Sequence, residues 1–268
     1  MIVIANEIIN LIKRGVMKQP ILVNGLYRTG TTMLIEFLGV ANYYYAPETI
    51  KAIGKEHIAV RRHSNKLLKE FGADWIHPNK LKNIDNVNFT HYLSSNKEAK
   101  AWCKKARRLG KRMAIEAKQS GQVGWVWKDT RLPVTMPAWR LAIPEAKYII
   151  GYRSPDQFLK AMQIYRDNDW WGFKDMSDED FIWQYEFYYT HLLKYIESEK
   201  GAGLEYIAID YADWFLRFDE TIQLFCDFAE VPVSPAYRDY FTGTRHFDEA
   251  WVDYPNEVYQ TLREKLSW

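Results

Sequence analysis

Ile21-Leu22-Val23-Asn24-Gly25-Leu26-Tyr27-Arg28-Thr29-Gly30-Thr31-Thr32 is the stretch on which the fold turns. Pro20 precedes a short apolar run of the kind that forms a parallel strand buried on both faces. Two glycines then free the backbone, and from residue 29 to 40 Met33, Leu34, Phe37 and Leu38 recur at helical spacing. A strand that runs through a glycine loop into a helix presents amide donors and the positive end of the helix dipole to an anion. The spacing G-x-x-x-x-G is that of a Walker A loop, but Thr31 occupies the place of its lysine, and the cation, Arg28, lies inside the loop. That arrangement suits an anionic donor other than ATP with magnesium.

Outward from this point strands and helices alternate. Residues 123–128, 147–153 and 204–209 read as strands, and residues 49–70, 94–119, 133–141, 178–199 and 211–230 as helices. Tyr43-Tyr44-Tyr45-Ala46-Pro47 reads as a loop, with Pro47-Glu48 in the first turn of the next helix. Ser154-Pro155-Asp156-Gln157 has the form of a helix start, with Ser as N-cap, Pro at N1 and Gln closing a capping box. Such alternation implies βαβ units: an α/β fold of three layers, a parallel sheet flanked by helices. No long Gly/Ser/Pro linker divides the chain. Residues 1–268 are therefore expected to form one domain, with a helical excursion at about 48–120 on the side where an acceptor would enter.

Composition narrows the function. The 268 residues carry 36 Lys+Arg against 34 Asp+Glu, a formal charge of +2, which excludes a protein that holds nucleic acid through its overall field. Two cysteines, Cys103 and Cys226, make no disulfide framework, and six histidines without close ligand spacing imply no metal. No run reaches the ~18 apolar residues of a membrane span. Met1 to Ile9 lacks a basic leader and reads as an amphipathic helix, so a cytoplasmic location is expected. The run Lys104 to Arg112 reads as a solvated helix face, and Trp125 and Trp127 as core. Tyr43 to Tyr45 and Trp170-Trp171 are candidates for the walls of an acceptor cleft.

The loop resembles that of the sulfotransferases that use 3′-phosphoadenosine 5′-phosphosulfate (PAPS), whose 5′-phosphosulfate loop has the form G-x-x-[R/K]-[S/T]-G-T-[T/S]; Gly25 to Thr32 fits throughout. Tyr148 to Pro155 looks like the family's second motif, a strand ending in arginine. Tyr206 to Trp214 looks like its strand ending in a Tyr-Glu-Asp-Leu turn, and Trp127-Lys128-Asp129-Thr130-Arg131 is similar to the Lys-Asp-Pro-Arg segment of bacterial members. The resemblance spans roughly residues 20–247 and implies a P-loop NTPase-like sulfotransferase fold, PAPS as donor, PAP (adenosine 3′,5′-bisphosphate) as product and a small-molecule or glycan acceptor, with no nucleic acid partner. It places the 5′-phosphosulfate on Arg28, Thr29, Gly30, Thr31 and Thr32 and the 3′-phosphate on Arg153, with Arg245 in a loose counterpart of a closing loop. The family's serine eight residues after that arginine is Ala161 here, which leaves Ser154 as the neighbouring hydroxyl. The histidine that cytosolic members place two residues after the equivalent of Lys128 is Thr130.

Sulfuryl transfer is an in-line displacement in which the protein positions the groups and stabilises charge on the leaving oxygen. Arg28 and Lys128 supply positive charge for it, and a sulfuryl group, less charged than a γ-phosphoryl, requires no magnesium. The resemblance to protein-tyrosine and glycan sulfotransferases puts the acceptor's base at a glutamate after the first helix, here Glu48, with Asp129 second; Asp129 also reads as a buried partner of Lys128 or Arg131. Two rival classes are a P-loop kinase or NTPase using Asp210 to hold magnesium, and a non-catalytic nucleotide-binding relative. Acceptor and oligomeric state leave no mark in the sequence.

Overall fold

A computed structural model of the chain describes residues 17–46, 49–50, 56–74, 92–93, 95–169, 172–244 and 257–266. The elements are β1 (Ile21–Asn24), α1 (Thr31–Val40), β2 (Tyr43–Tyr44), β3 (Thr49–Ile50), β4 (Glu56–His57), α2 (Ile58–Glu70) and α3 (Lys97–Gln119). There follow β5 (Gly124–Asp129), α4 (Leu132–Ala142), β6 (Lys147–Tyr152), α5 (Pro155–Asp167), α6 (Asp178–Glu197) and β7 (Tyr206–Asp210). Four helices close the series: α7 (Asp213–Leu216), α8 (Phe218–Ala229), α9 (Pro235–Thr244) and α10 (Glu257–Leu266).

β2, β5, β1, β6 and β7 form, in that order, one sheet whose neighbours all run parallel. The period of two then sorts the side chains. Leu22, Trp127, Tyr148 and Ile150 turn to one core, while Ile21, Val23, Val126 and Ile149 turn to the other. Both faces are covered, which is why these strands are apolar without alternation in the sequence. The first core holds an indole chain in which Trp125 and Trp127 lie 4.7 Å apart, Trp127 and Trp139 4.8 Å, and Trp139 and Trp102 4.9 Å. Each such burial contributes about 1.5–3 kcal/mol, so the tryptophans read as core are structural.

Three local readings need correction. Tyr43-Tyr44 is not a loop but an edge strand paired with Gly124-Trp125. Tyr43 is buried with its hydroxyl on the carbonyl of Ala229, which takes it away from any cleft wall, and the half-buried Tyr44 donates its hydroxyl to Glu116. The helix read at 49–70 begins only at Ile58. Ahead of it Thr49-Ile50 and Glu56-His57 pair antiparallel, and His57 Nδ1 accepts from the Ala59 amide as the N-cap. The helix read at 211–230 breaks at Arg217 (φ −150°, ψ 58°), where the Thr221 hydroxyl lies 2.8 Å from the Arg217 carbonyl oxygen and 3.1 Å from that of Asp213. A side chain that satisfies the carbonyls at a helix end makes the break tolerable. The N-terminal helix read at Met1 to Ile9 lies outside the described residues. No helix among the described residues is long and apolar enough to cross a membrane.

Candidate active site

Parallel strands put all their carboxyl ends on one edge, and β1 sits between β5 and β6, where the chain departs to both sides. The segments that follow β1, β5, β6 and β7 therefore meet above β1. The loop after β1 is held in an unusual backbone shape: Gly25, Arg28 and Gly30 have φ of 147°, 65° and 84°. For Arg28 that left-handed conformation costs on the order of 1–3 kcal/mol, which the surrounding loop must sustain. Thr29 Oγ1 closes the turn onto the Leu26 carbonyl at 2.6 Å. The Tyr189 hydroxyl, from α6, donates to the Gly151 carbonyl at 2.8 Å and accepts from the Leu26 amide at 3.4 Å. Gly30 is the N-cap of α1 and, having no side chain, caps nothing, so the first-turn amides of α1 face the loop's concavity uncapped by it. The Arg28 guanidinium is exposed and lies over the Tyr165 ring, 5.1 Å from its centroid.

Lys128 enters from the end of β5. It is only 3% exposed, and its Nζ donates to Thr32 Oγ1 at 3.1 Å. Burial lowers its ammonium, and Arg28 and Arg131 act in the same direction; Glu56 and Asp129 oppose them, leaving a pKa of about 8. Arg153, at the end of β6, donates from Nε to Gln157 Oε1 at 2.9 Å and from Nη1 to the Arg28 carbonyl at 3.2 Å. Burial, with Arg28 adding to it, lowers its guanidinium although the Tyr211 ring raises it. The capping box read at 154–157 is absent. Ser154 is the N-cap of α5 but makes no side-chain cap bond, and the Gln157 side chain that would close the box accepts from Arg153 instead. Its Oγ is buried and has no hydrogen-bond partner among the described residues, which leaves it able to bond an anionic oxygen beside Arg153. Ala161 is the seventh residue of α5 and is buried.

Beside Lys128 is a charged cluster of which the sequence announces only the pairing of Asp129 with a neighbouring cation. Arg131 is fully buried. Its Nη1 meets Asp129 Oδ1 at 2.7 Å and Glu56 Oε2 at 3.1 Å, and its Nε donates to Asn65 Oδ1. Glu56 Oε1 accepts from Thr130 Oγ1 at 2.8 Å. Burial pushes the Glu56 carboxyl up, but Arg131 and Lys128, with the Thr130 and Arg131 hydrogen bonds, hold it below the usual range. Asp129 thus takes the reading of a buried partner of Arg131. Glu56 comes from a hairpin more than 70 positions away in the chain, and only folding brings it here.

Arg28, Thr29, Gly30, Thr31, Thr32, Lys128, Arg153 and Ser154 are brought to one edge of the sheet. Glu48, Arg245 and Trp170-Trp171 lie outside the described residues. Asp210 is on β7, two strands and hence about 10 Å from β1. Its Oδ1 accepts from the Ala212 amide at 3.0 Å and its Oδ2 from the Tyr259 hydroxyl at 2.7 Å. Both its carboxylate oxygens are thus engaged by Ala212 and Tyr259. Among the described residues no group of three or more His, Cys, Asp and Glu could hold a metal ion. Lys105, from the basic run, borders a cavity of about 340 Å³ between α2 and α3, with Trp102 at its wall and none of the loop residues in its lining.

Residues 20–235 match the sulfotransferase family. No curated protein sequence matches the chain. Among solved structures, the sulfotransferase STF9 from Mycobacterium avium superposes with a TM-score of 0.50 at 13% identity, over 91% of this chain and 73% of that one. The sulfotransferase domain of the olefin synthase from Synechococcus PCC 7002 has a TM-score of 0.49 at 16% identity, over 82% and 76%. STF1 from Mycobacterium tuberculosis H37Rv has 0.47 at 15%, over 98% and 81%. The likeness to STF9 extends to the fold, a mostly parallel sheet flanked by helices of the P-loop NTPase-like kind.

Proposed function

Because the chain belongs to the sulfotransferase family, we propose that it transfers a sulfuryl group from PAPS to a hydroxyl or amine of a small-molecule or glycan acceptor, releasing PAP. The observation that carries this reading is the pairing of two anion sites on one edge, the glycine loop with Arg28 and Lys128, and Arg153 with the unpartnered Ser154 hydroxyl. A donor with a sulfated phosphate at one end and a second phosphate on its ribose needs two such sites. The α1 amides, Thr31 and Thr32 would hold the 5′ end, and Lys128 would meet charge on the oxygen that leaves sulfur. Arg153 and Ser154, with Arg245, would hold the 3′-phosphate. Ser154 then does the work of the serine that Ala161 replaces.

This reading is tested by calorimetric titration with PAP, set beside ATP with and without magnesium. Micromolar PAP binding without metal, and none of ATP, is expected. Binding of magnesium-ATP alone would overturn the proposal in favour of a kinase, and binding of neither would favour a non-catalytic relative.

For the acceptor's proton we propose Glu48 as base. Glu56 is a poor one, since both its oxygens already accept hydrogen bonds and its carboxyl is held low. Its place is that of a fixed counter-charge to Arg131 and Lys128. Glu48→Ala is expected to leave PAP affinity nearly intact while kcat falls by about two to four decades in a labelled-PAPS assay over phenols, alcohols and amines. Turnover near that of the unaltered protein would remove Glu48 from the role.

A further inference from the structure

Tyr211, the first residue after β7, has no part in the chemistry described so far, yet it touches both anion sites. Its amide donates to the Tyr152 carbonyl at 2.8 Å, extending the β6–β7 pairing by one residue and fixing where its side chain starts. Its ring lies against the loop: a Cβ on Gly30 would stand 2.6 Å from Tyr211 Cδ2 and 3.3 Å from Cε2. Only a residue without a side chain lets an aromatic ring lie that close to the backbone. The Arg153 guanidinium carbon sits 4.4 Å from the centroid of the same ring. Phe215 backs the ring edge-on at 5.2 Å.

We propose that Tyr211 is a positioning residue, a rigid wedge between Gly30 and Arg153 that sets the distance between the loop and the guanidinium. The inference rests on the two-site reading of the donor given above. Stacking on a ring orients a guanidinium without consuming any of its N–H donors. Gln157 takes Nε and the Arg28 carbonyl takes Nη1, so Nη2 has no hydrogen-bond partner among the described residues and is left to meet an anion. The ring fixes this plane in advance, so the ligand need not order it. A hydroxyl on the ring is not required for that task, whereas the π face is.

The test uses PAP and adenosine 5′-monophosphate, which reaches the loop but lacks the second phosphate, as calorimetric probes on the whole chain. Tyr211→Phe should bind PAP within about threefold of the unaltered protein. Tyr211→Leu should lose about tenfold or more for PAP and much less for the monophosphate, so the preference between the two narrows. A merely structural role would weaken both probes alike and lower the melting temperature. Should Tyr211→Leu not fold, Tyr211→Met, which keeps bulk without a π face, carries the same expectation. Unchanged PAP preference in a folded Leu or Met variant overturns the wedge, as does a loss in Tyr211→Phe equal to that in Tyr211→Leu. If the unaltered protein itself fails to bind PAP, the donor reading falls, and the wedge with it.

Discussion

Lys128→Ala should lower sulfuryl transfer from PAPS by about two to three decades, the usual loss when one preorganised donor to developing negative charge is removed. The expectation comes from placement. Lys128 is buried at the end of β5, its ammonium on Thr32 of the glycine loop, so its charge acts where water screens little. A pH dependence follows that needs no acceptor. With a pKa of about 8, Lys128 is charged below that pH and loses its proton above it. The second ionisation of a phosphate, near 6, is complete by then. PAP affinity should therefore hold steady from about pH 7 to 8 and fall beyond, by up to tenfold per pH unit, since bound anion favours the charged lysine. In Lys128→Ala the decline should vanish. A flat profile in the unaltered protein between about pH 7 and 9.5 would take Lys128 out of the site.

Gly25→Ala should cost about 3–5 kcal/mol and lower the melting temperature by about 10 °C. A Cβ at this position would collide with the Gly151 carbonyl oxygen and stand 2.8 Å from Thr31 Cγ2 and 2.9 Å from Thr29 Oγ1, at φ 147°. The carbonyl cannot retreat: β6 is paired on both sides, and the same oxygen holds the Tyr189 hydroxyl. Gly121→Ala is the comparison, with φ 69° but nothing within 4 Å of its Cβ, so it bears backbone strain alone, about 1 kcal/mol. Melting of Gly25→Ala within two degrees of Gly121→Ala would show that the loop is not packed against β6 in this way.

The parts of the fold that the sequence makes legible are those whose signal is local. The strands before Gly25 and Arg153 are runs of apolar residues, and α1 carries its helical spacing within ten residues. The shape of the glycine loop is legible because a strand end, two glycines and a helix start fall on consecutive positions. The edge strand at Tyr43-Tyr44 escaped because two residues are too few to show a period, and they become a strand only through β5. The hairpin ahead of α2 escaped for the same reason. Residues 154–157 show a different failure, in which local preference was right about the helix start but wrong about the capping box, whose Gln157 side chain bonds Arg153. The Glu56–Arg131 pair and the contact of Tyr211 with Gly30 join distant parts of the chain, and no window of sequence contains them.

Arg131 has a consequence for how such a chain can change over time. One buried guanidinium grips Glu56, which lies just ahead of α2, Asn65, which lies within it, and Asp129, which ends β5. The guanidinium thereby adds a buried polar joint to the apolar packing of Trp102, Trp139 and Trp127 that holds these helices to the sheet. Substitutions on the exposed faces of α2 and α3 leave that joint intact, whereas loss of Arg131, Glu56 or Asp129 leaves a buried charge without its partner.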